Sequence, residues 1–253
     1  MKIGAQLFTV REFAQTSKDF AETIKKVADI GYTSVQISGV NADISAQEIA
    51  EVCKANNLEI VITHSPIGRI KDDTQALIAD HKLMGAKYVG LGAVPGDYGR
   101  TQEGFDNFIK DMAPAAKAIK DAGLLFMYHN HEFEFMKFGE KTAFEYLADN
   151  MPDAGFTLDA YWVQVGGGDP AQWIRKFSGR VDVIHLKDLI IVNSNERRMA
   201  EVMEGNINWE SVMEAAKDAG VKYAMVEQDA CYDRNPFESL KISFQNLQKR
   251  GWL

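Results

Sequence analysis

The sequence predicts one α/β domain, a single (β/α)8 barrel spanning residues 1–253. Three observations carry that expectation. A helical segment that closes on Gly or Asn and is followed by a short apolar run recurs along the chain. Eight such runs alternate with eight helical segments within 253 residues, which is the arithmetic of this barrel. The first strand leads into Phe8-Thr9-Val10-Arg11-Glu12, not into the glycine-rich turn of a doubly wound sheet.

The elements follow in order, with boundaries good to roughly 2–4 residues. Strand one is read over 2–8, and a helix over 17–30 closes at Asp29-Ile30-Gly31. Strand two covers 33–38. Ser45 with Glu48 has capping-box spacing and opens a helix over 45–56. Strand three, 58–63, follows Asn56-Asn57. Asp72 with Gln75 repeats the capping spacing and opens a helix over 72–84, which Gly85 closes before strand four, 86–92. A helix over 103–122 ends at Gly123 and strand five covers 124–130. A helix over 141–149 precedes strand six, 155–160. Asp169-Pro170 places proline in the first turn of a helix over 169–177, before strand seven, 181–187. A helix over 208–218 closes at Gly220, strand eight covers 222–228, and Asn235-Pro236 opens the last helix, 236–250. Glycine after a helix accepts the left-handed conformation that closes it. The apolar runs suit parallel strands covered on both faces.

Composition removes several function classes. Acidic residues number 36 and basic residues 28, a net charge of −8. That balance disfavours binding to nucleic acid, which needs clustered Lys and Arg. No uncharged run approaches the ~18 residues of a spanning helix. The first residues show no secretory leader pattern. Two cysteines, Cys53 and Cys231, make no disulfide framework. The expected setting is the cytoplasm, with a small-molecule substrate, no membrane partner, and a homo-oligomer left open.

In such a barrel the active site lies at the C-terminal ends of the strands. Those ends carry Gln6, His64, His129 with His131, Asp159, His185 with Lys187, and Glu227. Four of the five histidines fall there. Asp159, His185 and Glu227 each end an apolar run, and a carboxylate buried there without a partner would cost several kcal/mol. A divalent cation is the economical partner for two carboxylates and an imidazole. The competing reading pairs Asp159 and Glu227 with Lys187, Arg197 or Arg198. Oxygen-rich ligands favour Mn²⁺ or Mg²⁺, with Zn²⁺ or Fe²⁺ also admitted. His131 shares strand parity with His129, so it is a candidate for binding substrate or for a base. Lys187 shares parity with His185 and is a candidate to stabilise an enolate oxygen, or else a structural ion pair. Arg198 is a candidate for a substrate anion, or a solvated surface charge.

The chain resembles the xylose isomerase-like barrel superfamily, the sugar phosphate isomerase/epimerase group, over essentially its whole length. The resemblance is closest to a branch with a Tyr-His-Asn-His-x-x-Glu-Phe signature, matched by Tyr128 to Phe135. Leu158-Asp159, the His-x-Lys-Asp of His185 to Asp188, Glu227-Gln228-Asp229 and Gly205 to Trp209 match as well. The resemblance implies a metal held by Glu, Asp, His and Glu from strands five to eight. Asp159, His185 and Glu227 match the last three, while His129 stands where the first Glu aligns. Either His129 is itself a ligand or Glu134 swings back to supply the carboxylate; the branch signature favours Glu134. A weakened or absent metal site is the third alternative. The resemblance also implies that Trp162 contacts substrate, with rim packing as the plainer reading.

The activity so implied is that of a metal-dependent sugar isomerase or epimerase. Such an enzyme takes a proton next to the carbonyl of a small keto-sugar, with Glu227, His129 and His131 as base candidates. The same site serves a lyase acting on an inosose or a 3-keto-glycoside. A non-catalytic sugar-binding protein is a further class. An endonuclease IV-like DNA-repair enzyme is disfavoured, because it needs more histidine ligands and a basic face.

Overall fold

The computed structural model describes residues 1–253. Its strands are β1 (Lys2–Gln6), β2 (Ser34–Ile37), β3 (Glu59–His64), β4 (Tyr88–Leu91), β5 (Leu125–His129), β6 (Lys137–Phe138), β7 (Lys141–Thr142), β8 (Ala154–Asp159), β9 (Val183–Leu186), β10 (Asp188–Asn193), β11 (Glu196–Ala200) and β12 (Tyr223–Val226). Eight of them close a barrel in the order β1-β12-β9-β8-β5-β4-β3-β2. Every neighbouring pair in it is parallel. The α/β barrel read from the sequence is therefore the fold. Helices between the strands bury their apolar faces outside the barrel in a cluster of 62 buried residues.

The punctuation works as its chemistry requires. Gly85 and Gly220 take φ of +71° and +73° at helix ends, where a side chain would be strained. Ser45 Oγ accepts from Glu48 N at 3.2 Å, and Asp169 Oδ1 accepts from Gln172 N at 2.7 Å. The helix expected over 72–84 is instead two helices, Ile67–Asp72 and Thr74–Met84. Asp73, not Asp72, stands between them, and it makes no side-chain cap. A true capping box sits two βα units later, where Thr142 and Glu145 satisfy each other's backbone N–H groups.

Strand parity builds the site. Alternate residues face opposite sides of a strand. Ile62, Tyr88, Met127, Val183 and Met225 form a separate small apolar cluster. One step of two residues above Met127, Val183 and Met225 stand His129, His185 and Glu227. The interior is narrow. A Cβ at Gly90 would lie 2.1 Å from the Thr63 carbonyl oxygen, so the close approach of β3 and β4 requires glycine there.

After β9 the chain makes an antiparallel hairpin, β10 with β11, in the segment between the strand read over 181–187 and the helix read over 208–218. Asp188 ties its base down. The buried carboxylate accepts from Leu189 N at 2.7 Å, Met203 N at 2.8 Å, Gly205 N at 3.1 Å, Ile207 N at 3.3 Å and Trp209 Nε1 at 2.7 Å. Asp188→Ala would strand several buried donors at once. We expect it to lower unfolding free energy by about 3 kcal/mol or more. Chemical denaturation measures this; a loss under about 1 kcal/mol would contradict the hub role.

Candidate metal centre

Four strands deliver four buried side chains to one point: His129 from β5, Asp159 from β8, His185 from β9 and Glu227 just after β12. One ligand atom from each lies within 4.8 Å of all the others. Atoms bound to one ion at about 2.0–2.4 Å lie no more than about 4–5 Å apart across it. The spacing therefore fits a single divalent cation.

The orientation of each side chain fits as well. His129 Nδ1 donates to the Gly92 carbonyl at 2.8 Å. The neutral ring then turns the Nε2 lone pair toward Asp159 Oδ2, 3.3 Å away. His185 Nε2 donates to Gln36 Oε1 at 2.8 Å, leaving Nδ1 2.8 Å from Glu227 Oε2 and 3.6 Å from Asp159 Oδ2. Asp159 Oδ1 caps the short helix Ala160–Val165 by accepting from Trp162 N at 3.0 Å, so only Oδ2 faces the others. Glu227 Oε1 accepts from Gln6 Nε2 at 3.1 Å, so Oε2 faces inward. In all four residues the outer atom is fixed by protein and the inner atom faces the other three, with Lys187 Nζ also reaching Asp159 Oδ2 and Glu227 Oε2. His185 Nδ1 and Glu227 Oε2 are buried without an aligned hydrogen bond, despite their short separation. This is how outer partners orient metal ligands.

The charges agree. Burial pushes the His129 imidazolium down, so that ring is neutral. Burial opposes ionisation of Asp159 and Glu227, yet the Lys187 ammonium and the imidazoles hold both well below the usual carboxylate range. Burial also opposes charge on His185, but Glu227 and Asp159 outweigh it and raise its pKa to about 9. A proton and a metal ion compete for such a nitrogen.

Other sequence candidates fall into place around this group. Glu134, expected as the first ligand, is not among the four, and its contacts hold it elsewhere. A turn of 3-10 helix, Phe133–Phe135, carries it to the side chain of Tyr128 on β5. There it accepts from the Tyr128 hydroxyl and from His131 N at 2.7 Å. Burial raises its pKa to about 7. Gln6, expected at the substrate, instead holds Glu227 and accepts from Phe8 N. Lys187 is buried and realises the ion-pair reading: Nζ lies 3.1 Å from Asp159 Oδ2, 3.0 Å from Glu227 Oε2 and 3.1 Å from Asp229 Oδ2. Arg198 is not brought to the centre; it pairs with Glu196 on the exposed hairpin and lies over the Tyr232 ring.

His64, His131 and Trp162 do border it. The His64 ring lies 5.2 Å from that of His129 and 5.7 Å from that of His185. The His131 ring stands 4.9 Å from that of His129 and 5.0 Å from that of Trp162. His64 Nε2, His131 Nδ1 and Trp162 Nε1 are buried without protein partners. Burial, with His129 and Lys187 nearby, lowers the His131 pKa to about 3.

Gln36 was not named from sequence, and Asn130 and Asp229 entered only as members of matched motifs without a role of their own. Gln36 pairs in register with Gln6 across β1 and β2, so adjacent amides orient His185 and Glu227. A glutamine inside a short, otherwise largely apolar strand was the available signal for Gln36. Asn130 Oδ1 accepts from Asp159 N at 3.0 Å, which fixes the Asp159 backbone.

These contacts separate the two candidate first ligands. Glu134→Gln should keep the wild-type metal content, and His129→Ala should lose most of it. Elemental analysis after purification without chelator measures both. Loss in Glu134→Gln with retention in His129→Ala would reverse the assignment.

The family model described as xylose isomerase-like TIM barrel matches residues 24–249. No curated protein matches the chain in sequence. Among solved structures, a sugar phosphate isomerase/epimerase from Parabacteroides distasonis superposes with TM-score 0.79 at 22% identity, covering 99% of this chain and 94% of that one. A probable 3-DHS dehydratase from Bacillus anthracis gives 0.76 at 14% identity, covering 99% and 100%. An L-ribulose 3-epimerase gives 0.74 at 15% identity, covering 100% and 95%. At these identities the likeness establishes the fold. With the family model matched from residue 24 to residue 249, the chain belongs to the xylose isomerase-like TIM barrel family.

Proposed function

We propose that this protein is a metal-dependent isomerase or epimerase of a small keto-sugar. The observation that carries the reading is the convergence of one inner atom each from His129, Asp159, His185 and Glu227, with every outer atom fixed by the protein. Printed descriptions of similar folds include a sugar phosphate isomerase/epimerase and an L-ribulose 3-epimerase. Two imidazoles among the four ligands favour Mn²⁺, Fe²⁺ or Zn²⁺ over Mg²⁺, which takes oxygen ligands and retains water. The unpaired cysteines suit a reducing compartment such as the cytoplasm.

A divalent ion held by these four residues would supply Lewis-acid polarisation of a substrate carbonyl. The remaining work falls to the chain. Glu227, steadied through Oε1 by Gln6, takes the proton from the carbon beside the carbonyl and returns it. Neutral His131 and His64 offer unpartnered ring nitrogens to substrate hydroxyls, and Trp162 offers an N–H. Lys187 places positive charge beside the carboxylates and 5.3 Å from the Trp162 ring centre, where an enolate oxygen would gain from it. His131, its pKa lowered to about 3, is neutral and serves as a hydrogen-bonding group in this scheme.

Ketopentoses and ketohexoses deuterated at the carbon next to the carbonyl test the chemistry. We expect at least one to turn over with a primary isotope effect in single-turnover measurements. No turnover across the panel, or turnover of a hydrogen-bearing sugar without that isotope effect, would contradict proton abstraction there.

A further inference from the structure

Lys187 and the metal reading make a conflicting demand on the same two oxygens. The buried ammonium contacts Asp159 Oδ2 at 3.1 Å and Glu227 Oε2 at 3.0 Å. These are the inner atoms of the two carboxylate ligands. A monovalent cation and a divalent one sharing two carboxylates repel each other strongly in a buried site. A third carboxylate resolves the conflict. Asp229 Oδ2 lies 3.1 Å from Lys187 Nζ, and Asp229 is outside the four-residue ligand group.

The backbone fixes that third carboxylate. Asp229 lies two residues beyond Glu227, as Lys187 lies two beyond His185, so the pair forms the next layer of the mouth on the same faces. The Gln228 N–H donates to Thr9 Oγ1 at 2.9 Å, and Arg11 donates to the Asp229 carbonyl at 3.1 Å. Both anchors come from the segment after β1. They fix the backbone that carries the Asp229 side chain.

We propose that Asp229 is a positioning residue for the metal centre: it is the counter-charge that holds Lys187 in place while a divalent ion takes Asp159 and Glu227. The proposal rests on the metal reading above. Without Asp229 the only anions within reach of the buried ammonium are the two ligand carboxylates, and Lys187 becomes a direct competitor of the ion. With it, both cations have partners, and the site keeps a fixed positive charge beside the bound ion.

Calorimetric titration with Mn²⁺ on the purified, metal-stripped full chain tests this without using activity. Asp229→Asn should weaken Mn²⁺ binding at least tenfold, and Asp229→Glu should recover most of it. Lys187→Met should tighten binding. The double variant Lys187→Met with Asp229→Asn should return to within about threefold of wild type, because the competitor has gone together with its counter-charge. A purely structural role for Asp229 would weaken binding in both backgrounds alike. Wild-type affinity in Asp229→Asn, or equal weakening in the single and double variants, overturns the proposal and leaves the metal reading intact. If Asp229→Asn does not fold, Lys187→Met decides: unchanged Mn²⁺ affinity overturns the proposal and tighter binding supports it. Failure of wild type and Lys187→Met alike to bind Mn²⁺ or Zn²⁺ overturns the metal reading and this proposal with it.

Discussion

Two carboxylates and two imidazoles are buried at the ends of four neighbouring strands with lone pairs facing one another. That arrangement costs free energy unless a cation or protons fill the centre. Much of the upper barrel serves to hold it. Gln6 and Gln36, adjacent in register, grip Glu227 and His185. The Gly92 carbonyl turns His129, and a helix N-terminus takes the outer oxygen of Asp159. The apolar cluster containing Met127, Val183 and Met225 lies below. The functional group thus sits on strands whose positions are over-determined by packing.

The loops extend this logic outward. The carboxylate of Asp188 follows Lys187 directly and gathers four backbone N–H groups and the Trp209 indole, so the hairpin after β9 leaves the barrel from a rigid base. Glu134 does the same for the loop after β5 through Tyr128 and His131. Beside these anchors stand His131 and Trp162, whose side-chain Nδ1 and Nε1 atoms find no partner in the protein. Fixed walls with unpartnered polar atoms suit a polyhydroxylated ligand.

Much of this was legible in the sequence, because the signals are local. Alternating apolar runs and helix-closing glycines report the strands and their order. Asp159, His185 and Glu227 stand out because each ends an apolar run, where only a cation or a donor makes a carboxylate tolerable. Glu134 misled for a physical reason. Its spacing from β5 permits a return to the barrel mouth, but whether a tight turn makes that return depends on the Tyr128 hydroxyl, a partner inside the same motif. The Asp72 cap failed similarly: Gln75 has the spacing, yet the chain enters the helix from another helix and Asp73 takes the cap position. Lys187 realises the ion-pair reading on the same two carboxylates that the metal reading uses, since one ammonium contacts both and a third beyond them. Only three-dimensional placement reveals that sharing.

Anomalous diffraction from crystals grown with Mn²⁺ addresses the centre most directly. The account predicts one peak with His129 Nε2, Asp159 Oδ2, His185 Nδ1 and Glu227 Oε2 at about 2.0–2.4 Å from it. A map with no peak among these four atoms, or with the ion bound at Glu134 instead, would contradict it.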